Sequence, residues 1–205
     1  ARIIGGDADA KRRQVWIDKL MRPMSELLGK SLQRVHNIAC WQRASMAMAA
    51  LYAKDDELWK LSVDGEYGIR QQVRDGITSD YLWVEQSLLY NSYVVSSFLT
   101  FLEYAGIEGR LDELRQEAAA IENLMLAPIY LRFPDGKLPT PADSTAGFRR
   151  APETGILARA RRVFPTTLGI AASSAQKNWD TLLDPPAAVE PGPLPEIVSR
   201  NFESS

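Results

Sequence analysis

The stretch between Glu85 and Glu103 constrains the fold more than any other part of the chain, because it is long, apolar and free of charge. Its apolar residues recur at the three- and four-residue spacing of an α-helix, in two stripes. One stripe holds Leu88, Val95, Leu99 and Leu102, and the other holds Tyr90, Val94, Phe98 and Phe101. A helix that is apolar nearly all round belongs inside a fold. The sequence therefore predicts a buried helix over about residues 85–104.

Helical spacing also marks most of the remaining chain, which predicts an all-α protein. The predicted helices are 14–29 with a kink or break at Pro23, one opening at Asn37, 56–73 with a break at 64–65, 111–127 ending before Pro128, one or two within 154–176, and a short one at 179–183. Asp75-Gly76 reads as a turn and Gly106 as a helix stop. Solvated and buried helices alternate, which fits either a ring of helical hairpins around a cleft or a plain antiparallel bundle.

Composition excludes several classes of function. The formal net charge of −2 supplies no basic field for a dedicated nucleic-acid binder. Cys40 is the single cysteine, so neither an internal disulfide nor a multi-cysteine zinc cage is expected. No cluster has metal-ligand spacing, no cofactor motif is present, and no apolar run is long enough to span a membrane.

A spaced set of residues runs into the apolar helix from its N-terminal side. Its members are Asp80, Trp83, Glu85, Ser87 and Tyr90. This spacing resembles the Asp-Gly-x-Trp-x-Glu-x-Ser-x-x-Tyr-His signature of the heparinase II/III and alginate lyase families of polysaccharide lyases. Tyr81 stands where that signature has Gly, and Asn91 stands where it has His.

Two further segments resemble the same family and occur in the same order along the chain. Asn37, followed by Trp41 and an Ala-rich stretch, is similar to the helix that carries the family's Asn for the substrate carboxylate. The segment from Pro134 to Ser144 is similar to a family loop that runs from Pro-Asp-Gly to Asp-Ser. The resemblance covers roughly residues 15–150.

The resemblance implies a fold and a missing part. Members of the family have an (α/α) toroid followed by an antiparallel β-sandwich domain, which contributes a further catalytic His. The chain is then expected to be an incomplete (α/α) toroid of helical hairpins over residues 1–183. Residues 184–205 would be a Pro-rich linker toward a C-terminal β-sandwich domain that this sequence lacks. Polysaccharide lyases usually act outside the cytoplasm, so a periplasmic or secreted protein is implied.

The chemistry of these lyases explains the two residues to which the resemblance gives catalytic roles. A uronate-containing polysaccharide is cleaved without water when the proton on C5 is removed and the sugar linked at C4 is expelled. The neighbouring carboxylate must be neutralised or hydrogen-bonded, and the two amide donors of an Asn suit that role; Asn37 is the candidate. Tyr90 is the candidate base and acid, and its ordinary pKa near ~10 means that it needs nearby donors or cations to act as a base.

Other side chains are candidates for contact with an acidic polysaccharide or oligosaccharide. The substrate-binding candidates are Trp41, Trp83, Glu85, Tyr93 and Arg43. Each also has a structural interpretation: aromatic residues at helical spacing pack in cores, Glu85 can brace the loop, and arginines can be solvated surface. Asn37 before an apolar run can equally be a helix N-cap.

Two classes of function remain open from the sequence. One is the toroid domain of a lyase whose full-length parent is active while this chain alone is not. The other is a non-catalytic carbohydrate-binding or interaction helical domain, which Tyr81 and Asn91 favour because they depart from the signature.

Overall fold

The computed structural model describes residues 10–144 and 150–197, and this part of the chain is helical and forms no β-strand. The helices are α1 Ala10–Trp16, α2 Arg22–Lys30, α3 Asn37–Ala53, α4 Asp56–Val63, α5 Ile69–Gly76, α6 Leu88–Ile107, α7 Arg115–Leu131, α8 Thr154–Ala160, α9 Thr167–Ser174 and α10 Trp179–Leu183. A π-helical turn, Ile17–Met21, joins α1 to α2, and a 3-10 turn, Leu111–Leu114, precedes α7. The predicted all-α class is confirmed. Among the described helices, none is both long enough and apolar enough to cross a membrane.

The chain divides into two compact units between Gln72 and Val73, inside α5. In the first unit, α3 packs against both α2 and α4. Small side chains cover much of the buried face of α3: Ala39, Cys40, Ala44, Ala47 and Ala50. Side chains of this size let neighbouring helices approach closely, which is why the Ala-rich stretch lies in the core of this unit.

The second unit is organised around α6, which contacts α7 and α8, while α8 also packs on α9. The predicted burial of α6 is confirmed, since every residue of its two apolar stripes is buried except Tyr90. One side of the helix is partly or fully exposed, at Leu89, Tyr90, Tyr93, Ser96, Thr100 and Glu103. We refer to these six residues as the exposed stripe of α6. Apart from Tyr104, Gly106 and Ile107 at its C-terminal end, the rest of the helix is buried.

Prolines affect the helices in two ways. The break predicted at Pro23 is not formed, because the chain stays helical from Ala10 to Lys30; Pro23 lies in the first turn of α2, directly after the π-helical turn. The helix predicted over 111–127 was expected to end before Pro128. This prediction is wrong, because α7 continues to Leu131. The helix tolerates this proline because a side chain from α6 serves the carbonyl that Pro128 leaves without a helical partner, as described below.

Two predicted helix boundaries at glycine are also wrong. Gly76 is the last residue of α5 rather than part of a turn, and α6 continues through Gly106 to Ile107. The residue in the left-handed conformation after α6 is Gly109, with φ of 76°. A left-handed glycine just beyond the last turn is the usual helix terminator, so the stop signal is Gly109. The predicted break at 64–65 is confirmed, since α4 ends at Val63 and α5 begins at Ile69.

The C-terminal segment after α10 forms no helix or strand over residues 184–197. The rest of the predicted linker, 198–205, lies outside the described residues, as do 1–9 of the predicted toroid domain.

Candidate functional site

The signature residues form a compact loop in front of α6. An isolated β-bridge pairs Ile77 with Trp83, and the Val84 N–H donates to the Gly76 carbonyl at 2.9 Å. At the tip of the loop Tyr81 has φ of 57°, in the left-handed region that favours glycine. The position where the lyase signature has Gly is therefore one whose backbone conformation suits Gly.

Trp83 and Glu85 brace this loop from inside. Trp83 is 1% exposed, and its indole N–H donates to the Glu85 carboxylate at 2.6 Å. A ring this enclosed offers no face on which a sugar could stack, which differs from the substrate-binding role predicted for Trp83. Glu85 holds the Trp83 indole, as the structural interpretation of the sequence suggested.

Asn91 fixes the loop to the helices behind it. Its side chain is 1% exposed, and its oxygen accepts the Trp83 backbone N–H at 2.7 Å. Its amide nitrogen donates to the Leu124 carbonyl in α7 at 2.8 Å. The position where the signature has His is thus filled by a buried amide whose oxygen and nitrogen each make a structural hydrogen bond.

Ser87 joins the signature loop to the third segment of the resemblance. Its hydroxyl oxygen caps α6 by accepting the Tyr90 N–H at 3.3 Å. The same hydroxyl lies 3.1 Å from the Asp143 carbonyl, to which it donates, and 3.1 Å from the Ser144 hydroxyl. The Asp-Ser pair that ends the 134–144 loop therefore docks on the N-terminus of α6.

Tyr90 completes this junction. Its hydroxyl donates to the Asp143 carboxylate, which is 53 residues away along the chain. The hydrogen bond is the main reason that the pKa of Tyr90 is raised above its ordinary value of about 10. Partial desolvation and the negative charges of Asp143 and Glu85 act in the same direction, because each disfavours a phenolate. The geometry therefore presents Tyr90 as a protonated donor.

Tyr93 lies one turn along α6 from Tyr90 and is 45% exposed. Residues three apart share one face of a helix, so the two tyrosines lie next to each other on the exposed stripe. An exposed aromatic ring next to a hydroxyl donor can contact a sugar ring, and the substrate-binding role of Tyr93 stays a prediction.

Asn37 and Trp41 lie in the first unit, on one face of α3. The N-cap of this helix is His36, whose Nδ1 accepts the Ile38 N–H at 3.1 Å, so the alternative of Asn37 as the cap is not realised. Asn37 is 5% exposed and Trp41 is half-buried. Their roles toward a substrate stay predictions.

Arg43 has a structural task that differs from the substrate-binding role predicted for it. It is 2% exposed, and burial lowers the pKa of its guanidinium. Its two terminal nitrogens donate to the carbonyls of Leu28, at 2.7 Å, and Ser31, at 3.1 Å. These carbonyls lie at the C-terminal end of α2, where the Leu28 carbonyl also accepts the Ser31 N–H at 3.2 Å, so Arg43 adds to the hydrogen bonds that close the helix.

Asp143 is a site residue that was not predicted from the sequence. Its signal was present, because it closes a loop that resembles the same family as the Tyr90 signature. What the sequence could not supply is the pairing of that loop with α6.

Within the described residues, no group of His, Cys, Asp and Glu is arranged to hold a metal ion.

Comparison of the chain with models of protein families, with curated proteins and with solved structures found no match.

Proposed function

We propose that the complete protein carrying this chain is a polysaccharide lyase that cleaves a uronate-containing polysaccharide by β-elimination. In this proposal Tyr90 protonates the leaving oxygen. The observation that carries it is the hydrogen bond from the Tyr90 hydroxyl to Asp143. That bond joins, at one phenol, the two segments that most closely resemble polysaccharide lyases.

The reaction divides the work between a base and an acid. A base removes the proton on C5, and the electron pair of that bond forms the double bond between C4 and C5. The bond from C4 to the bridging oxygen then breaks, and this oxygen takes the Tyr90 proton. Protonation of a leaving group by a positioned side chain is ordinary general acid catalysis.

The surroundings of Tyr90 support its role as the general acid. From the sequence, Tyr90 was predicted to be both the base and the acid, but a base would need donors or cations that stabilise the phenolate. Tyr90 instead donates to Asp143 and lies in the field of Glu85, so its pKa is raised. We assign the base to the catalytic His that the resemblance implies in a β-sandwich domain, and we expect this chain alone to be inactive.

The remaining parts of the proposal follow from the resemblance. They are the incomplete (α/α) toroid, the C-terminal β-sandwich partner and the periplasmic or secreted location. The all-α structure of the described residues supports the first of these. The role of Asn37 in binding the uronate carboxylate is tested by Asn37→Ala. This substitution should slow elimination but should not remove the fall of activity at alkaline pH that ionisation of Tyr90 is expected to cause.

The test uses the full-length natural protein and a panel of alginate, heparan sulfate, chondroitin sulfate and ulvan. The ultraviolet absorbance of the unsaturated product reports elimination. We expect activity on one of these substrates, lost in Tyr90→Phe while the folded variant still binds the polysaccharide. Tyr130→Phe, which removes another partly exposed phenol, should retain activity.

The pH profile tests the assigned role of Tyr90 separately. As the acid, Tyr90 must be protonated, so activity should fall on the alkaline side as the phenol ionises. Asp143→Asn removes the carboxylate that raises the pKa of Tyr90 and should move this fall to lower pH. An alkaline limb that stays in place in Asp143→Asn would contradict the acid assignment.

The second candidate is a non-catalytic carbohydrate-binding domain. It is favoured by the enclosed Trp83 ring and by the buried, hydrogen-bonded Asn91, which stands where the signature has a titratable His. A folded full-length protein that binds a uronate polysaccharide but yields no unsaturated product across the panel would support this candidate instead.

A further inference from the structure

We propose a second saccharide-binding site in the second unit, built from Trp179, Lys177 and Arg159, for carboxylate-bearing sugar units. The choice of an acidic saccharide rests on the proposed function. The site itself rests on an exposed aromatic ring and on two cations that pair with no carboxylate among residues 10–144 and 150–197.

Trp179 is the aromatic part of the site. It is 76% exposed at the start of α10 and borders an open groove of about 840 Å³. Leu182, Pro185 and Pro186 form the apolar part of the groove. A tryptophan is a large amphipathic ring that is mostly covered in folded proteins, and its flat apolar face suits a sugar ring.

The position of the Trp179 ring is held by the turn that precedes it. Asn178 accepts the Thr181 N–H at 3.0 Å, and the Thr181 hydroxyl accepts the Asn178 N–H at 3.1 Å. This reciprocal capping box orders the first turn of α10. The ring is thus presented by an ordered backbone.

The groove also carries a charge that suits an acidic ligand. Lys177 borders it, and no carboxylate is among the described residues that line it. Lys177 forms no ion pair with any carboxylate in the described ranges. A carboxylate on a bound sugar would supply this missing partner.

Arg159 adds a second cation on the other side of the same segment. It borders two adjoining cavities of about 620 and 220 Å³, and Gln176 and Asn178 line both cavities as well as the Trp179 groove. Arg159 donates to the Thr100 hydroxyl at 2.8 Å, and no described carboxylate pairs with it. Its guanidinium keeps the donors that bind a carboxylate in a two-pronged geometry.

The neighbouring arginines are occupied, which sets Arg159 apart. Arg161 and Arg162 both bind the Asp184 carboxylate at 3.0 Å, and Arg162 also binds Glu103 at 2.7 Å. These ion pairs leave Arg159 as the arginine of this cluster that is open to an added anion. Three carboxylates oppose such an anion: Asp180 borders both cavities, Glu153 borders the larger one, and Glu103, which is paired with Arg162, borders the smaller one.

The site lies on the route of a polysaccharide that is cleaved at Tyr90. Thr100, which Arg159 contacts, belongs to the exposed stripe of α6 and lies ten residues beyond Tyr90. That separation corresponds to about 15 Å along the helix axis. Tyr93 lies between the two residues on the same stripe, so an extended saccharide can follow the stripe from Tyr90 toward Arg159 and Trp179.

The binding test uses the full-length protein with Tyr90→Phe, so that no cleavage occurs, and oligoguluronates and oligogalacturonates of defined length as probes. Calorimetry should show binding that weakens with added salt, because charges on the surface are screened. The same oligosaccharides with their carboxylates reduced to alcohols should bind about tenfold more weakly.

Substitutions then locate the site. Trp179→Ala should weaken binding about tenfold, and Arg159→Gln and Lys177→Gln about two- to fivefold each. Asp180→Asn should strengthen binding. Leu183→Ala is the matched control, because Leu183 is 69% exposed beside the site but does not line the groove.

Three results would overturn the second site. These are no binding by the folded chain, equal binding of the neutral oligosaccharides, and affinity that Trp179→Ala and Arg159→Gln leave unchanged. A dimer that Trp179→Ala dissociates, without any loss of saccharide affinity, would instead assign the groove to a second copy of the chain. A different result would contradict the proposed lyase function: the full-length protein would yield no unsaturated product but would still bind the saccharide through Trp179.

Discussion

The side-chain amide of Asn91 donates a 2.8 Å hydrogen bond to the backbone carbonyl of Leu124. That carbonyl is the one that Pro128, four residues later in α7, cannot serve, because proline has no N–H. Asn91 also accepts the Trp83 N–H, so a single buried side chain holds the signature loop, α6 and α7 together. This contact explains how α7 continues through a proline.

Asn91→Ala is therefore expected to lower the free energy of unfolding by about 3 kcal/mol, because it leaves two buried backbone groups without partners. Urea denaturation measures the change. Asn123→Ala is the control: Asn123 is an exposed residue of α7 that donates to the Ala119 carbonyl, and its loss should cost under about 0.5 kcal/mol. Equal effects of the two substitutions would mean that the Asn91 contacts contribute no net stability.

Tyr81 gives a prediction about backbone conformation. Its φ of 57° places a bulky residue in the left-handed region. Tyr81→Gly and Tyr81→Ala both remove the phenol ring and its contacts, but only Gly relieves the conformation, so the Gly variant should be more stable by about 0.5–1 kcal/mol. Thermal or urea unfolding of the pair measures the difference, and a more stable Ala variant would contradict the left-handed conformation.

The parts of the fold that were predicted from the sequence are those set by local pattern. The burial of α6 follows from its apolar periodicity, and the break between α4 and α5 follows from a glycine-containing turn. The end of α7 was mispredicted because its continuation depends on Asn91, a residue of another helix. Local rules treat Pro128 as a terminator, whereas a tertiary hydrogen bond makes it tolerable.

The candidate site shows the same division. Tyr90 was identified from its spacing to Trp83 and Glu85 within one short segment. Its partner Asp143 was not, because a 53-residue separation carries no local pattern. The roles predicted for Trp83 and Arg43 concern residue types that serve cores as readily as substrates, and only burial and hydrogen-bond partners distinguish the two.

The raised pKa of Tyr90 can be measured directly. Carbon-13 labelling of tyrosine rings, with Tyr90→Phe to assign the resonance, should show Tyr90 ionising above its ordinary value of about 10. Asp143→Asn should lower that pKa, because the hydrogen bond to Asp143 is its largest cause. Asp112→Asn removes an exposed carboxylate that pairs with Arg115 and should leave the Tyr90 titration unchanged.

The same shift predicts how stability depends on pH. Because the folded protein holds the Tyr90 proton more tightly than the unfolded chain, the contribution of Tyr90 is fully present below the unfolded pKa. It is lost as the pH rises from about 10 toward the folded pKa. The free energy of unfolding of the unsubstituted protein should therefore fall more steeply over this range than that of Tyr90→Phe. Parallel slopes would contradict a raised pKa in the folded state.

Substitution of Arg43 distinguishes a structural role of this residue from a substrate-binding role. Arg43→Met keeps much of the aliphatic stem but removes both hydrogen bonds to the end of α2, so the free energy of unfolding should drop by about 2–3 kcal/mol. Arg34→Gln, at an exposed position shortly before α3, should change it by less than about 0.5 kcal/mol. Arg43 is 2% exposed and so has almost no surface for a ligand, which is why the expected loss is in stability rather than in saccharide affinity. An Arg43→Met variant of unchanged stability but weakened saccharide binding would return Arg43 to the substrate-binding role that the sequence suggested.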